Sequence, residues 1–143
     1  MTAFLIDTNL VSELRKKGRC DPNVAAWQVE ASRHGLFISV ISMMEIRHGI
    51  LMARRKNAAF AELLERWYEV QVKSTFDGYV LPIDLAVSER CSTLLSQRSR
   101  SLADALIAAT AYVNDLTLAT RNVADFTDSG VKLVNPWEPR IHP

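Results

Sequence analysis

Carboxylate and amide side chains occur where short apolar segments of this sequence end and helical segments begin. These positions are Asp7, Glu45, Asp104, Asn122 and Asp125. Two carboxylates about 4 Å apart repel by roughly 4 kcal/mol at an effective dielectric constant of 20, whereas a helix N-terminus offsets only ~0.3–1 kcal/mol. A cluster of such acids therefore needs a cation, and hard oxygen ligands select Mg²⁺ or Mn²⁺. Because Mg²⁺ favours phosphate as a further ligand, the expected chemistry is attack on phosphorus by metal-activated water.

Helix capping is a competing explanation for each of these positions. The matching patterns are Ser42-x-x-Glu45 and Ser101-x-x-Asp104 as capping boxes, Asn122-x-x-Asp125 as a related pattern, and Asp7 as a plain N-cap. Capping explains a single carboxylate in a first turn. It does not require all of the acids to follow strands of one sheet, so both explanations stay open at this point.

Short strands and longer helices must position these side chains. Apolar segments at 3–6, 36–40, 116–120 and 131–134 are typical of strands. Helical periodicity occupies 43–53, 60–67, 87–95 and 102–113, and a further helix opens at Pro22 and runs to about Arg33. This alternation predicts an α/β fold with a small parallel sheet covered by helices, whereas residues 80–82 read as an extended link. Ligands of such sheets bind at the carboxyl ends of the strands, where these acids fall.

Length and composition exclude several classes of protein. The 143 residues carry 17 Lys and Arg against 16 Asp and Glu, which excludes a globally basic nucleic-acid binder but permits a local basic groove. The length favours one domain over residues 1–143. The two cysteines form neither a disulfide scaffold nor a zinc knuckle, and no segment is typical of a signal peptide or a membrane span. We therefore expect a soluble, cytoplasmic protein.

Four motifs in order resemble those of the PIN-domain nucleases, with the VapC and FitB type toxins of prokaryotic toxin–antitoxin operons as the nearest likeness. The motifs are Leu5-Ile6-Asp7-Thr8-Asn9, Ser42-x-x-Glu45, Asp104-Ala-Leu-Ile-Ala-Ala-Thr-Ala111 and Ala119-Thr120-Arg121-Asn122-x-x-Asp125-Phe126. The ending Val134-Asn135-Pro136-Trp137 is similar to the FitB branch. The likeness covers the chain from Phe4 to Trp137.

This resemblance implies a three-layer α/β/α PIN fold and a Mg²⁺- or Mn²⁺-dependent endoribonuclease. It also implies a homodimer and a cognate VapB- or FitA-type antitoxin that places an Arg- or Lys-bearing peptide over the acidic pocket. By the resemblance, Asp7 and Asp104 are the principal metal ligands and Glu45 is a ligand or orients water. Thr8, Asn9 and Thr120 support the pocket.

The sequence departs from the family pattern at Asn122, where many relatives carry Asp. Asn brings a carbonyl oxygen but no charge, so a second metal becomes doubtful, and Asp125 is a possible substitute. We expect one tightly bound Mg²⁺, with a second arriving, if at all, with RNA.

Basic residues that could hold RNA phosphates form two runs and one isolated position. They are Arg15, Lys16, Lys17 and Arg19; Arg54, Arg55 and Lys56; and Arg47 one turn past Glu45. A solvated helix face is the more usual explanation of such runs. Two other functional classes also remain open, a non-catalytic binding module on the same fold and a phospho-acceptor α/β domain. The latter should carry a Lys at the end of its last core strand, where this chain has Thr120 and Arg121.

Overall fold

A five-stranded parallel sheet forms the centre of the computed structural model, which describes residues 3–16 and 18–139. The strands are β1 (Phe4–Ile6), β2 (Leu36–Ser39), β3 (Val80–Leu81), β4 (Thr117–Ala119) and β5 (Leu133–Val134). Their order is β3-β2-β1-β4-β5, and every neighbouring pair is parallel. Lys17 and the two ends of the predicted 1–143 domain lie outside the described residues.

Helices cover both faces of this sheet. They are α1 (Thr8–Leu14), α2 (Pro22–Ala31), α3 (Val40–Arg54), α4 (Ala58–Arg66), α5 (Lys73–Thr75), α6 (Leu85–Gln97), α7 (Leu102–Val113) and α8 (Val123–Phe126). A π-helical segment, Trp67–Val72, joins α4 to α5 without a loop. None of the described helices is both long enough and apolar enough to cross a bilayer.

The two buried cores explain why the strands are short and apolar throughout. Leu5 packs with α6 and α7, whereas its neighbour Ile6 packs with α1, α2 and α3, and both side chains are fully buried. Successive strand residues point to opposite faces, so a sheet covered on both faces must be apolar at every position. The predicted three-layer α/β/α architecture is confirmed.

The four predicted strands are confirmed with slightly shorter bounds, but the interpretation of residues 80–82 as a link was wrong. Val80 and Leu81 pair with Ile38 and Ser39 and form the edge strand β3. Two residues are too few to show the hydrophobic period that predicts a strand, and an edge strand has a partner on one side only. The pairing therefore depends on β2 already being in place.

The parallel arrangement places the carboxyl ends of β1, β2 and β4 along one edge of the sheet. Asp7, Val40 and Thr120 directly follow these strands. In the register, Ile6 lies opposite both Ile38 and Ala119, so the three strands end at nearly the same level. Residues remote in sequence are thereby brought to a common edge.

Candidate active site

Asp7 lies at the centre of this edge and is almost fully buried, with 6% of its surface exposed. Its Oδ1 accepts a hydrogen bond from the backbone N–H of Thr8 at 2.8 Å, and its Oδ2 accepts one from the Thr120 hydroxyl at 2.7 Å. The first bond caps α1, as the N-cap explanation predicted. The second comes from the end of a different strand and has no role in capping, so capping accounts for only one of the two carboxylate oxygens.

The electrostatic surroundings of Asp7 couple it to two other acids. Burial raises the pKa of Asp7 above its ordinary value, and the hydrogen bonds from Thr120 and Thr8 partly offset that rise. The negative charges of Asp104 and Glu45 raise the pKa further. Two carboxylates, Glu45 of α3 and Asp104 of α7, therefore act electrostatically on Asp7 at the end of β1.

Glu45 is held by a hydroxyl network rather than by a capping box. The Thr8 hydroxyl oxygen lies 2.7 Å from Glu45 Oε1 and 2.8 Å from Ser42 Oγ. A hydroxyl has one proton and a carboxylate can only accept, so Thr8 donates to Glu45 and accepts from Ser42. Helix α3 is capped by Ser39, whose Oγ accepts from the N–H of Ile41. The capping explanation of Ser42-x-x-Glu45 is therefore wrong, because both residues lie inside the helix.

Asp104 stands in the first turn of α7, where the capping prediction holds in part. The Ser101 hydroxyl accepts from the backbone N–H of Asp104 at 3.1 Å, as expected of an N-cap. Ala105 and Ala108 beside it are fully buried. Their small side chains let α7 approach the sheet closely, and the half-buried Asp104 carboxylate acts electrostatically on Asp7.

Asn122 and Asp125 are both exposed at the start of α8. The Asn122 side chain makes no capping hydrogen bond, so the capping-box resemblance of Asn122-x-x-Asp125 is not realised. The backbone N–H of Asn122 donates to the Thr120 hydroxyl at 3.0 Å. Asn122 is thereby tied to the site through Thr120. In the described part of the chain, neither its side chain nor that of Asp125 hydrogen-bonds to Asp7, Glu45 or Asp104.

Asn9 is the last residue of the first motif, and its side chain carries a free hydrogen-bond acceptor. Its Oδ1 is buried and accepts no hydrogen bond within the described residues. A buried acceptor without a partner costs roughly 1–3 kcal/mol, so this oxygen favours a nearby donor or cation. Asn9 lies in the first turn of α1, two residues after Asp7, so a neutral oxygen stands close in sequence to the central acid.

The site offers only oxygen donors, which is the donor set that Mg²⁺ or Mn²⁺ prefers over zinc. Across residues 3–16 and 18–139, no three Asp, Glu, His or Cys side chains stand in an arrangement that could hold a metal ion as it is. Sharing one cation among Asp7, Glu45 and Asp104 therefore requires at least one side chain to rotate.

The predicted RNA-binding cations fall into paired and unpaired groups. Arg47 and Arg54 reach from α3 to Glu65 of α4, with an Arg47–Glu65 distance of 2.8 Å. The hydrogen bond from Arg47 is the main reason that the pKa of Glu65 is lowered. Arg54 also lies 3.8 Å from Glu62, so two glutamates match the charge of the two arginines, whereas Arg55 and Lys56 are exposed just beyond α3.

Arg15 and Lys16 follow the last turn of α1. Lys16 pairs with Glu13 at 3.0 Å. The Arg15 guanidinium lies over the rings of Phe60 and Trp67, at 5.9 and 5.8 Å from their centroids. A groove of about 320 Å³ runs from Thr8 and Glu45 along α3 to these aromatic rings and Arg15. The site therefore opens into a mainly apolar groove with one cation at its far end.

Sequence reasoning missed two contributors to this edge. Ser42 was assigned to a cap, but it completes the hydroxyl network of Glu45. Arg121 stands between two candidate residues and belongs to no basic run, so the sequence predicted no role for it. Its position next to a strand end was the signal that could have identified it.

Comparison with known proteins gives one consistent result. The PIN domain family matches residues 4–128 of this chain. VapC ribonuclease Y4jK of Sinorhizobium fredii is 34% identical over 143 residues, which span 95% of this chain and 99% of that protein. Toxin FitB of Neisseria gonorrhoeae is 32% identical over 144 residues, covering 94% and 98% of the two chains.

Solved structures agree with the sequence comparison. The crystal structure of FitAcB from Neisseria gonorrhoeae has a TM-score of 0.83 at 30% identity and covers 94% of this chain and 98% of its own. A structure of FitAB bound to an IR36 DNA fragment has a TM-score of 0.85 at 28% identity, with coverage of 98% and 99%. The likeness therefore extends over nearly the whole chain in both sequence and fold.

Proposed function

The chain belongs to the PIN domain family, and from that membership we propose that it is the toxin of a toxin–antitoxin pair and acts as a Mg²⁺- or Mn²⁺-dependent endoribonuclease. The observation that carries this proposal is the buried Asp7 carboxylate, whose pKa is raised by burial and by the charges of Asp104 and Glu45. Such a site concentrates negative charge that a divalent cation relieves. Relatives named VapC ribonuclease and toxin FitB support the biological role.

Asp7, Asp104 and Glu45 are the proposed metal ligands. Each carboxylate oxygen has two lone pairs, so both oxygens of Asp7 keep one free beside their present hydrogen bonds. A bound Mg²⁺ or Mn²⁺ would supply a water activated for attack on phosphorus and would stabilise the leaving oxygen. The unpartnered Oδ1 of Asn9, two residues after Asp7 in the same motif, fits the same hard cation as a neutral oxygen donor.

Two hydroxyl groups hold the carboxylates in place, and one of them favours the ionised form of Asp7. Thr120 donates to Asp7 Oδ2 and lowers the pKa of Asp7, against the effect of burial. Thr8 holds Glu45 in place, and Ser42 holds Thr8. Asn122 or Asp125 is the candidate for a fourth ligand, because both follow the same strand end. Since Asn122 carries no charge, we propose one tightly bound metal.

The proposal includes the partners and the location of the protein. We infer an RNA substrate, a cognate VapB- or FitA-type antitoxin, a homodimer and a cytoplasmic location. One solved structure that resembles this chain contains FitAB bound to a DNA fragment, and one relative is named toxin FitB. An antitoxin that covers the acidic edge with a cationic side chain would neutralise the charge that otherwise recruits the metal.

Cleavage of RNA with and without metal tests the proposal. The purified protein should cut total RNA in Mg²⁺, leave 5′-phosphate and 3′-hydroxyl ends, and lose activity in excess EDTA. Asp7→Asn and Asp104→Asn should abolish cleavage. Asp115→Asn is the matched control, because Asp115 is exposed at the opposite edge of the sheet, after α7, and its positive φ of 53° suits Asn.

The outcomes separate the competing functions. Ends with 2′,3′-cyclic phosphates would show that the 2′-hydroxyl rather than water is the nucleophile, and full cleavage in EDTA would contradict the metal assignment. Growth arrest on expression, relieved by Asp7→Asn, is expected of the toxin. Arrest that persists in Asp7→Asn would favour a non-catalytic binding module, and labelling of an Asp by acetyl phosphate would favour a phospho-acceptor domain.

A further inference from the structure

Arg121 directly follows Thr120 of the acidic site, and hydrogen bonds hold the backbone on both sides of it. The preceding residue, Thr120, is fully buried and donates to Asp7. The N–H of Thr120 donates to the carbonyl of Val134 in β5, and the N–H of Asn122 donates back to the Thr120 hydroxyl. The exposed Arg121 side chain therefore leaves the sheet edge from a well-defined point.

Trp137 provides a platform for the Arg121 side chain. The guanidinium carbon lies 5.2 Å from the centroid of the Trp137 ring. The Trp137 carbonyl accepts from Asn23 Nδ2 at 2.9 Å, and its N–H donates to Asn135 Oδ1 at 3.0 Å. The half-buried ring also packs against the core formed with α1, α2 and α3. A guanidinium held over an aromatic ring by a cation–π contact keeps its N–H groups free for hydrogen bonds.

The charge of Arg121 is not used within the described part of the protein. There its side chain makes no hydrogen bond or ion pair. The pKa of Glu13 is lowered mainly by the hydrogen bonds from the Asp21 N–H and Lys16, and the charge of Arg121 adds only a small part of that shift. Both carboxylate oxygens of Glu13 already accept, one from Lys16 at 3.0 Å and the other from the Asp21 N–H at 2.9 Å. The guanidinium of Arg121 thus keeps its donors available for a ligand.

This availability sets Arg121 apart from the cations singled out on α3. Arg47 and Arg54 share Glu65 and are committed to holding α3 against α4. An acidic site repels a phosphodiester strand until cations at its rim offset that repulsion. A preorganised arginine suits this task, because its planar fork matches two phosphate oxygens.

We propose that Arg121, held over the Trp137 ring, binds a backbone phosphate of the RNA strand beside the phosphodiester bond that is cut. The inference rests on the proposed function and adds a substrate-binding residue to it. RNA is favoured over an acidic peptide because the neighbouring site is one for phosphoryl chemistry. A peptide carboxylate, which the same fork would accept, is an outcome that the test below distinguishes.

The test measures RNA binding in a protein that does not cut. In an Asp7→Asn background, a fluorescein-labelled single-stranded RNA pool of mixed sequence is titrated and followed by anisotropy at several salt concentrations. Arg121→Ala should weaken binding roughly tenfold, as expected of a lost charge-assisted contact, and reduce the salt slope by about 0.7. Arg33→Ala is the matched control, because Arg33 is exposed between α2 and β2 at the opposite edge of the sheet.

Two further variants separate charge from geometry. Arg121→Lys keeps the charge but not the fork, so the salt slope should persist while affinity falls. Trp137→Leu keeps Arg121 but removes its platform, and should weaken binding by a smaller factor than Arg121→Ala. Circular dichroism and thermal melting establish that each variant is folded. In the cutting background, Arg121→Ala should raise KM more than it lowers kcat.

The results distinguish failure of this inference from failure of the proposed function. If the wild-type protein cuts RNA in Mg²⁺ but Arg121→Ala binds as tightly as Arg33→Ala, the phosphate contact is refuted and the nuclease stands. If Arg121→Ala weakens RNA binding but the wild-type protein never cuts, the contact stands and the nuclease is refuted. Absence of any binding to the pool at low salt also overturns the inference. So does a parallel titration in which Arg121→Ala weakens binding of a fluorescein-labelled acidic peptide but not of the RNA pool.

Discussion

Thr120→Val is the sharpest perturbation of the candidate site, because it changes one buried hydroxyl and almost no volume. Thr120 has no exposed surface, and its hydroxyl donates to Asp7 Oδ2 at 2.7 Å. The same oxygen accepts from the Asn122 N–H at 3.0 Å. Valine leaves Asp7 Oδ2 without its hydroxyl donor, on a carboxylate that is almost fully buried, while Oδ1 keeps its bond from the Thr8 N–H.

The expected cost follows from these two hydrogen bonds. A hydrogen bond to a charged group contributes ~1.5–3 kcal/mol, while the exposed Asn122 can recover its lost bond from water. We therefore expect the free energy of unfolding to fall by about 2 kcal/mol at neutral pH. For a chain of this length that corresponds to a decrease in Tm of roughly 6–8 °C. The pKa of Asp7 should also rise further, because the Thr120 hydrogen bond lowers it.

Urea unfolding of the metal-free protein measures this effect, with Thr120→Ser as the control that keeps the hydroxyl. A double-mutant cycle with Asp7→Asn assigns the loss to the Thr120–Asp7 pair, and the coupling free energy should be about 1–2 kcal/mol. The loss should shrink as the pH falls through the raised pKa of Asp7 and should be smallest below pH 3.8, the ordinary pKa, where the carboxyl group is neutral in the folded and the unfolded protein. Equal stability of the Val and Ser variants, or a coupling near zero, would refute the reasoning.

Three further predictions concern stability. Since the pKa of Asp7 is raised by burial, its proton-linked stability is present below pH 3.8 and lost as the pH rises through the raised pKa. Asp7→Asn should flatten that decline in metal-free thermal melts, and an unchanged pH profile would contradict it. The pKa of Glu13 is lowered by the Asp21 N–H and Lys16, so its contribution is present above pH 4.5 and lost in acid. Glu13→Gln should be less stable at pH 7 and equal to wild type at low pH in the same melts. Gly49→Ala should stabilise the protein by ~0.5–1 kcal/mol in urea unfolding, because an added Cβ in this exposed helical position meets no atom within 4 Å. A loss of stability would contradict this and would show that the added methyl group makes an unfavourable contact.

Local pattern was sufficient to predict the elements that carry the acids. Leu5 and Ile6 are apolar because both faces of the sheet are covered, and this alone marks β1 and the strand end at Asp7. The edge strand at Val80 was missed because its two residues carry no period of their own. Its pairing depends on Ile38 and Ser39, which are remote in sequence.

The candidate site shows the same division. The sequence could nominate Asp7, Glu45 and Asp104, but capping was the better explanation of each acid taken singly, and only their joint pattern favoured a shared site. The structure separated the two explanations, since Ser39 caps α3 and leaves Glu45 to Thr8, while Ser101 does cap α7. Residues within one helical turn determine capping. The contact between Thr8 and Glu45, in contrast, joins two helices through residues that are 37 positions apart in sequence.

The sequence by itself determined the alternation of strands and helices, the parallel α/β class, the family resemblance and the oxygen-rich chemistry of the acids. These properties are set by residue type and short-range spacing. Tertiary structure alone decided that Asp7 is buried beside Asp104 and Glu45, that Thr120 holds it, and that Arg121 lies on Trp137 with its donors free. Burial, electrostatic coupling and stacking depend on distances between remote residues, and the folded sheet is what sets those distances.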